Sequence, residues 1–128
     1  MWRVALYAHE TPGRRGRARL EQQVARLAVS VARRPGWCHV ATYVDQSWGG
    51  GWRPGRSGLL AAAPGHYDVV AVDGYRRLSP DRHQRTVVLA HLQAAGVATV
   101  VLGPSAAGRL VTLAADLALV DLIDGVTR

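Results

Sequence analysis

The sequence predicts an α/β domain built on a mainly parallel sheet of four or five strands, and three observations lead there. Apolar runs of strand length recur at Arg3 to His9, Trp37 to Val44, Tyr67 to Val72 and Val97 to Leu102. Between them the apolar residues change to helical spacing, as in Leu20, Val24, Leu27 and Val31. Each strand is followed by enough chain for a crossover, which parallel neighbours need and a hairpin does not. Helical crossovers cover both faces of such a sheet, so its strands are apolar throughout rather than alternating.

Each element has its own justification. The first strand gives way at Pro12-Gly13 to a loop and then a helix, which Pro35-Gly36 ends. Cys38 lies in the apolar second strand and reads as a small buried hydrophobe. Asp45 then opens a glycine-rich loop carrying Trp48 and Trp52, followed by a short helix from about Gly55 to Ala63. After the third strand, Ser79-Pro80 has the form of a helix N-cap with proline at the first helical position, and that helix continues to Gly96. A last helix is expected over 106–124. Its apolar residues cover most of its circumference, and such a helix wants burial on more than one side. Leu110, Leu113, Leu117 and Val120 are its candidate dimer-interface residues, with core packing alone as the competing explanation.

Composition sets bounds on function. With 128 residues and 48% hydrophobic content, the chain fits one domain over 1–128 and not two. No apolar run approaches the roughly 20 residues that cross a bilayer, and the start of the chain does not read as a signal peptide. A cytoplasmic protein with no membrane association is expected. One cysteine cannot form an internal disulfide, and His9, His39, His66, His83 and His91 show no ligand spacing, so neither metal nor cofactor is expected. The net charge of +7 favours a polyanionic partner such as DNA. Since every basic residue is arginine, as a GC-rich genome favours, clustering is the better guide. Arg14, Arg15, Arg17 and Arg19 cluster in one loop and helix start.

Ligands of parallel sheets bind beyond the carboxyl ends of the strands. Here that rim carries His9 to Thr11, Asp45 to Arg53, Asp73 to Arg77 and Gly103 to Ser105. Most of the polar and basic residues that could surround a phosphate are among them.

Five segments in order carry a family resemblance: Tyr7-Ala8, Leu20-Glu21-Gln22-Gln23, Arg53-Pro54-Gly55 with Leu59-Leu60, Tyr67-Asp68-Val69-Val70, and Arg77-Leu78-Ser79. Over about residues 2 to 102 the chain resembles the catalytic domain of serine recombinases, the resolvase/invertase family. The resemblance implies a three-layer, resolvase-like (flavodoxin-like) fold. It also implies metal-free chemistry in which a serine hydroxyl attacks a DNA phosphodiester while arginines hold the non-bridging oxygens. Forked guanidinium groups suit that work because they bind two oxygens at once.

Carried over position by position, the match is incomplete. Thr11 stands where the family has its nucleophilic serine, His9 where it has arginine, and Glu10 where it has valine. Arg53 and Arg77 are retained as catalytic arginines. Of the family's D-R-L-S-R segment, the aspartate is replaced by Arg76 and the second arginine by Pro80. Losing one preorganised donor slows such chemistry by about 100- to 1,000-fold. The expectation is therefore a degenerate domain acting as a homodimer, through protein contacts or non-specific DNA contacts, with Arg14, Arg15, Arg17, Arg53 and Arg77 as the phosphate-binding residues. Two alternatives stay open: an active strand-exchange enzyme using Thr11, and a partner-docking module that does not bind nucleic acid. No helix-turn-helix segment for site-specific DNA recognition is visible.

Overall fold

The computed structural model describes residues 1–49 and 51–102. The expected helix over 106–124, with Leu110, Leu113, Leu117 and Val120, lies outside the described residues, as does the rim stretch Gly103 to Ser105. In chain order the elements are β1 (Trp2–Glu10), α1 (Arg14–Ala32), β2 (Trp37–Gln46), α2 (Pro54–His66), β3 (Val69–Val72), a 3-10 turn (Tyr75–Arg77), α3 (Arg82–Ala94) and β4 (Ala98–Val101). The strands pair in the order β2-β1-β3-β4, every pair parallel, as the apolar runs and crossovers require.

The period-two alternation of β1 divides the core. Val4 and Leu6 point to one face, where Leu27 and Val31 of α1 cover them together with Val69, Ala71 and Val100. Ala5 and Tyr7 point to the other, against Leu59 and Ala63 of α2 and Val88 and Leu92 of α3. The result is the three-layer resolvase-like architecture expected. β1 is buried on both faces, as an interior parallel strand should be.

Several expectations need correction. β2 is an edge strand, and Val40 and Val44 are exposed along it. Cys38 is accordingly only partly buried rather than a core residue. An apolar run records strand propensity, not a strand's place in the sheet. The α3 N-cap is Asp81, whose side chain accepts from Gln84 N at 3.0 Å. Ser79 lies two residues earlier, its Oγ accepting from Asp81 N at 3.1 Å. Asp81 takes the cap because its carboxylate reaches the orphan amide three residues on. Helix α1 also begins six residues before Leu20, which brings the arginine cluster onto its first two turns.

No described helix is long and apolar enough to cross a membrane. Among the described residues, no group of three His, Cys, Asp or Glu side chains stands close enough to hold a metal ion.

Candidate functional site

The strand order places a topological switch point between β1 and β3, where the chain leaves β1 in one direction and later resumes in the other. A crevice forms beyond the carboxyl ends at such points. Here it receives His9 and Glu10 from the end of β1, Thr11 from just after it, and Asp73 to Arg77 from the segment after β3. β1 outruns β3: their pairing covers only Val4 to Leu6 against Val69 to Ala71, while β2 accompanies β1 to Glu10. Side chains take over where β3 stops. Buried Gln23 accepts from His9 N at 3.1 Å and donates to His9 O at 3.2 Å. Arg77 Nη1 donates to the same carbonyl at 3.0 Å.

A chain of alternating charges runs along this rim. The Thr11 hydroxyl accepts from Arg19 Nη2 at 3.1 Å. Arg19 Nε pairs with Glu10 Oε1 at 3.3 Å, and Glu10 Oε2 with Arg77 Nη1 at 3.4 Å. Arg77 Nη2 pairs in turn with Asp73 at 3.3 Å, and Arg26 reaches the same carboxylate at 3.7 Å. Glu10 is only 8% exposed, so its charge is held between two guanidinium groups with little water to screen it. Position 76 holds an exposed arginine in place of the resembled aspartate, but Asp73 supplies Arg77 with a carboxylate from one turn earlier.

Arg53 belongs to a second, deeper group. Its Nη1 donates to Arg77 O at 2.5 Å, to Leu78 O at 3.0 Å and to the Tyr7 hydroxyl at 3.4 Å, and its Nη2 to Gly49 O at 3.4 Å. With 3% exposure it braces the turn after β3 from beneath. Arg56 Nη1 adds a bond to Leu78 O at 2.7 Å. The carboxylate balancing them is buried Asp45, which accepts from the Tyr7 hydroxyl at 2.7 Å, Gly55 N at 2.7 Å and Arg56 N at 2.8 Å. Asp45 thereby caps α2 from the end of β2. The residue at the cap, Arg53, makes no side-chain cap bond, and Pro54 has no amide hydrogen to satisfy. Burial, followed by the Asp45 carboxylate, raises the Tyr7 phenol above its ordinary value, so Tyr7 acts as a neutral donor.

Half-buried His9 bonds Ser47 Oγ through Nε2 at 3.1 Å. Burial, then the positive charge of Arg53, holds its imidazolium below the ordinary 6.5. The unfolded chain therefore binds this proton more readily than the native one. His9's contribution to stability is full above about 6.5 and is lost as pH falls through the lower native value. Urea midpoints measured from neutral pH to about pH 5 are expected to fall less steeply for His9→Gln than for the parent chain. Equal slopes would remove His9 from the acid response.

The structure brings Thr11, His9 and Arg77 to one rim and directs Arg53 to backbone carbonyls beneath it. Arg14, Arg15 and Arg17 are exposed at the start of α1, where Arg14 and Arg17 border a shallow cleft with Pro12, Gly13 and Gln46. Arg76 and Pro80 are exposed. Sequence reasoning treated Arg19 only as a member of a basic cluster and did not single out Arg26. A signal was present, because Arg19, Gln23 and Arg26 fall at i, i+4 and i+7 and so form one stripe of α1.

No protein-family model matches the chain, and no curated protein sequence does. Solved structures do. The C-terminal catalytic domain of IS1535 TnpA, an IS607-like serine recombinase, is 30% identical over 81% of this chain and 74% of its own, with a TM-score of 0.61. The corresponding domain of ISC1926 TnpA, also IS607-like, has a TM-score of 0.71 at 21% identity, covering 79% of this chain and 70% of that one. A resolvase family site-specific recombinase from Streptococcus pneumoniae matches at 0.69 and 15% identity, over 100% and 89%. The last two are likenesses of fold; the first extends to sequence. A parallel α/β domain with its charged rim at the β1–β3 switch point is thus of the resolvase type. The chain belongs to the serine recombinase family.

Proposed function

We propose that this chain serves DNA recombination as a non-specific DNA-binding domain, without cutting strands itself, and that it pairs with a second copy through the segment over 106–124. One observation carries the loss of chemistry: the Glu10 carboxylate occupies the place between Arg19 and Arg77 that an incoming phosphate would need. Transfer at phosphorus requires fixed positive charge free to meet the charge that develops there. In this site Arg77 already faces two carboxylates, and Arg53 already donates to three carbonyls and a hydroxyl. A phosphodiester that displaced Glu10 would leave that carboxylate unpaired in a buried position, at a cost of several kcal/mol.

The test uses supercoiled plasmid and the full chain. Binding is expected to fall steeply with salt, as neutralisation of several phosphates requires, with neither nicking nor a covalent adduct. Glu10→Gln is expected to tighten DNA binding by about threefold to tenfold at low ionic strength, since one negative charge leaves the rim. A protein–DNA adduct that disappears in Thr11→Ala would overturn the proposal. So would the absence of any DNA binding, which would favour a docking module.

One contact favours the rival reading, in which Thr11 is the nucleophile. Its hydroxyl is 3.1 Å from Arg19 Nη2, and a neighbouring guanidinium is suited to hold a phosphate against it. The Thr11 hydroxyl would give up its proton as its oxygen bonds to phosphorus, and the scissile P–O bond would break with one proton passing to the departing sugar oxygen. The same plasmid assay decides between the two.

A further inference from the structure

We propose that the loop between β2 and α2 binds single-stranded DNA by stacking unpaired bases on Trp48 and Trp52, with Arg14, Arg15 and Arg17 taking the flanking phosphates. This rests on the DNA-binding reading above and names the form of DNA and the residues that meet it. Trp48 is 69% exposed and Trp52 83%, whereas Trp2 and Trp37 are partly buried against the core. Trp37 also has the Arg34 guanidinium 5.0 Å over its ring. Leaving two indoles in water forgoes the large apolar gain that their burial would bring.

The loop is held in place at several points. Ser47 N donates to Glu10 O at 3.1 Å, Gly51 N to Trp48 O at 2.6 Å, and Arg53 Nη2 to Gly49 O at 3.4 Å. Gln46 Nε2 donates to Thr11 O at 3.3 Å and Gly13 O at 3.4 Å, which ties the end of β2 to the start of α1. The loop that carries the tryptophans and the segment that leads into the arginine-bearing start of α1 therefore leave the same carboxyl-end rim of the sheet. Among the described residues, Arg14 and Arg15 form no salt bridge, and the only carboxylate paired with Arg17 is exposed Glu21 at 3.5 Å.

That combination selects a ligand. Cationic side chains on the same rim as the indoles disfavour an apolar protein surface and favour a polyanion. Exposed ring faces add affinity only where bases are unstacked and free to lie on them, which duplex DNA does not offer. Stacking reads no particular base, so the expected preference is for strandedness rather than sequence.

The full chain should be titrated with a single-stranded oligothymidylate and with a duplex of the same length, following intrinsic tryptophan fluorescence. Single strands are expected to bind more tightly than duplex at equal salt and to quench the emission. Trp48→Ala and Trp52→Ala should each weaken single-strand binding by about 5- to 100-fold, the effect of removing one stacking platform. They should leave duplex binding and the melting temperature nearly unchanged, since neither side chain packs in the core. Arg14→Gln with Arg17→Gln should lower the salt slope by about 0.7 for each phosphate that the protein no longer neutralises. Single-strand affinity and quenching that survive both tryptophan substitutions would overturn this inference while leaving non-specific DNA binding intact. No binding to either form would overturn both.

Discussion

Replacing Asp45 by alanine is expected to destabilise the domain by about 3–5 kcal/mol, the range for removing one member of a buried charged network. Three donors lose their acceptor at once: the Tyr7 hydroxyl and the amides of Gly55 and Arg56. The Tyr7 hydroxyl is buried and the two amides are part-buried, so the loss includes desolvation that water only partly replaces. The helix α2 loses its cap, and buried Arg53 loses the negative charge that Tyr7 links to it. Against a total stability of roughly 5–15 kcal/mol, such a change leaves a large unfolded fraction or an intermediate lacking α2. Urea denaturation with calorimetry measures it. Asp45→Asn keeps one acceptor and should recover part of the loss. A loss below about 1 kcal/mol in the alanine variant would show that α2 does not depend on this cap.

Alanine at Gly16 and at Gly55 is expected to destabilise by about 1–3 kcal/mol each, whereas alanine at Gly58 should stabilise by about 0.5–1 kcal/mol. All three glycines lie in helices, where alanine is ordinarily the better residue. Packing reverses the sign at two of them. A Cβ at Gly16 would lie 1.8 Å from Thr11 O, and one at Gly55 2.2 Å from Val44 O; both neighbours are backbone. At Gly58 the nearest atoms are Tyr43 ring carbons at 3.7 Å, an ordinary contact. Because the clash at Gly16 pushes on Thr11 itself, the variant should also disturb the Thr11 to Arg19 bond. Thermal melts of the three variants provide the comparison, and a common sign would refute the close approaches.

The two groups at the rim separate two roles for arginine. Arg53 and Arg56 act inward, tying the turn after β3 to the start of α2 through carbonyl oxygens. Arg19, Arg26 and Arg77 act outward along the crevice, balanced by Glu10 and Asp73. The bonds of Arg53 to carbonyl oxygens describe a structural duty. This is why its presence alone does not argue for a working site.

Much of the architecture was legible in the residues themselves. The runs at Arg3 to His9 and Val97 to Leu102, and the Leu20, Val24, Leu27, Val31 repeat, mark strands and helices because periodicity is a property of neighbouring residues. Their alternation then implies a parallel sheet with its ligand rim at the strands' carboxyl ends. The exposure of β2 was not legible, because an apolar run has the same appearance at the edge of a sheet as at its centre. Nor was the work of individual arginines. Arg53 takes carbonyls 24 and 25 residues ahead, and Arg77 meets His9 O across 68 residues and Glu10 across 67. What the sequence by itself determined is therefore the succession of elements and the edge where polar groups gather. Only the tertiary structure decided which charge faces which, because an ion pair is set by distance in space, and local pattern carries no record of partners that far along the chain.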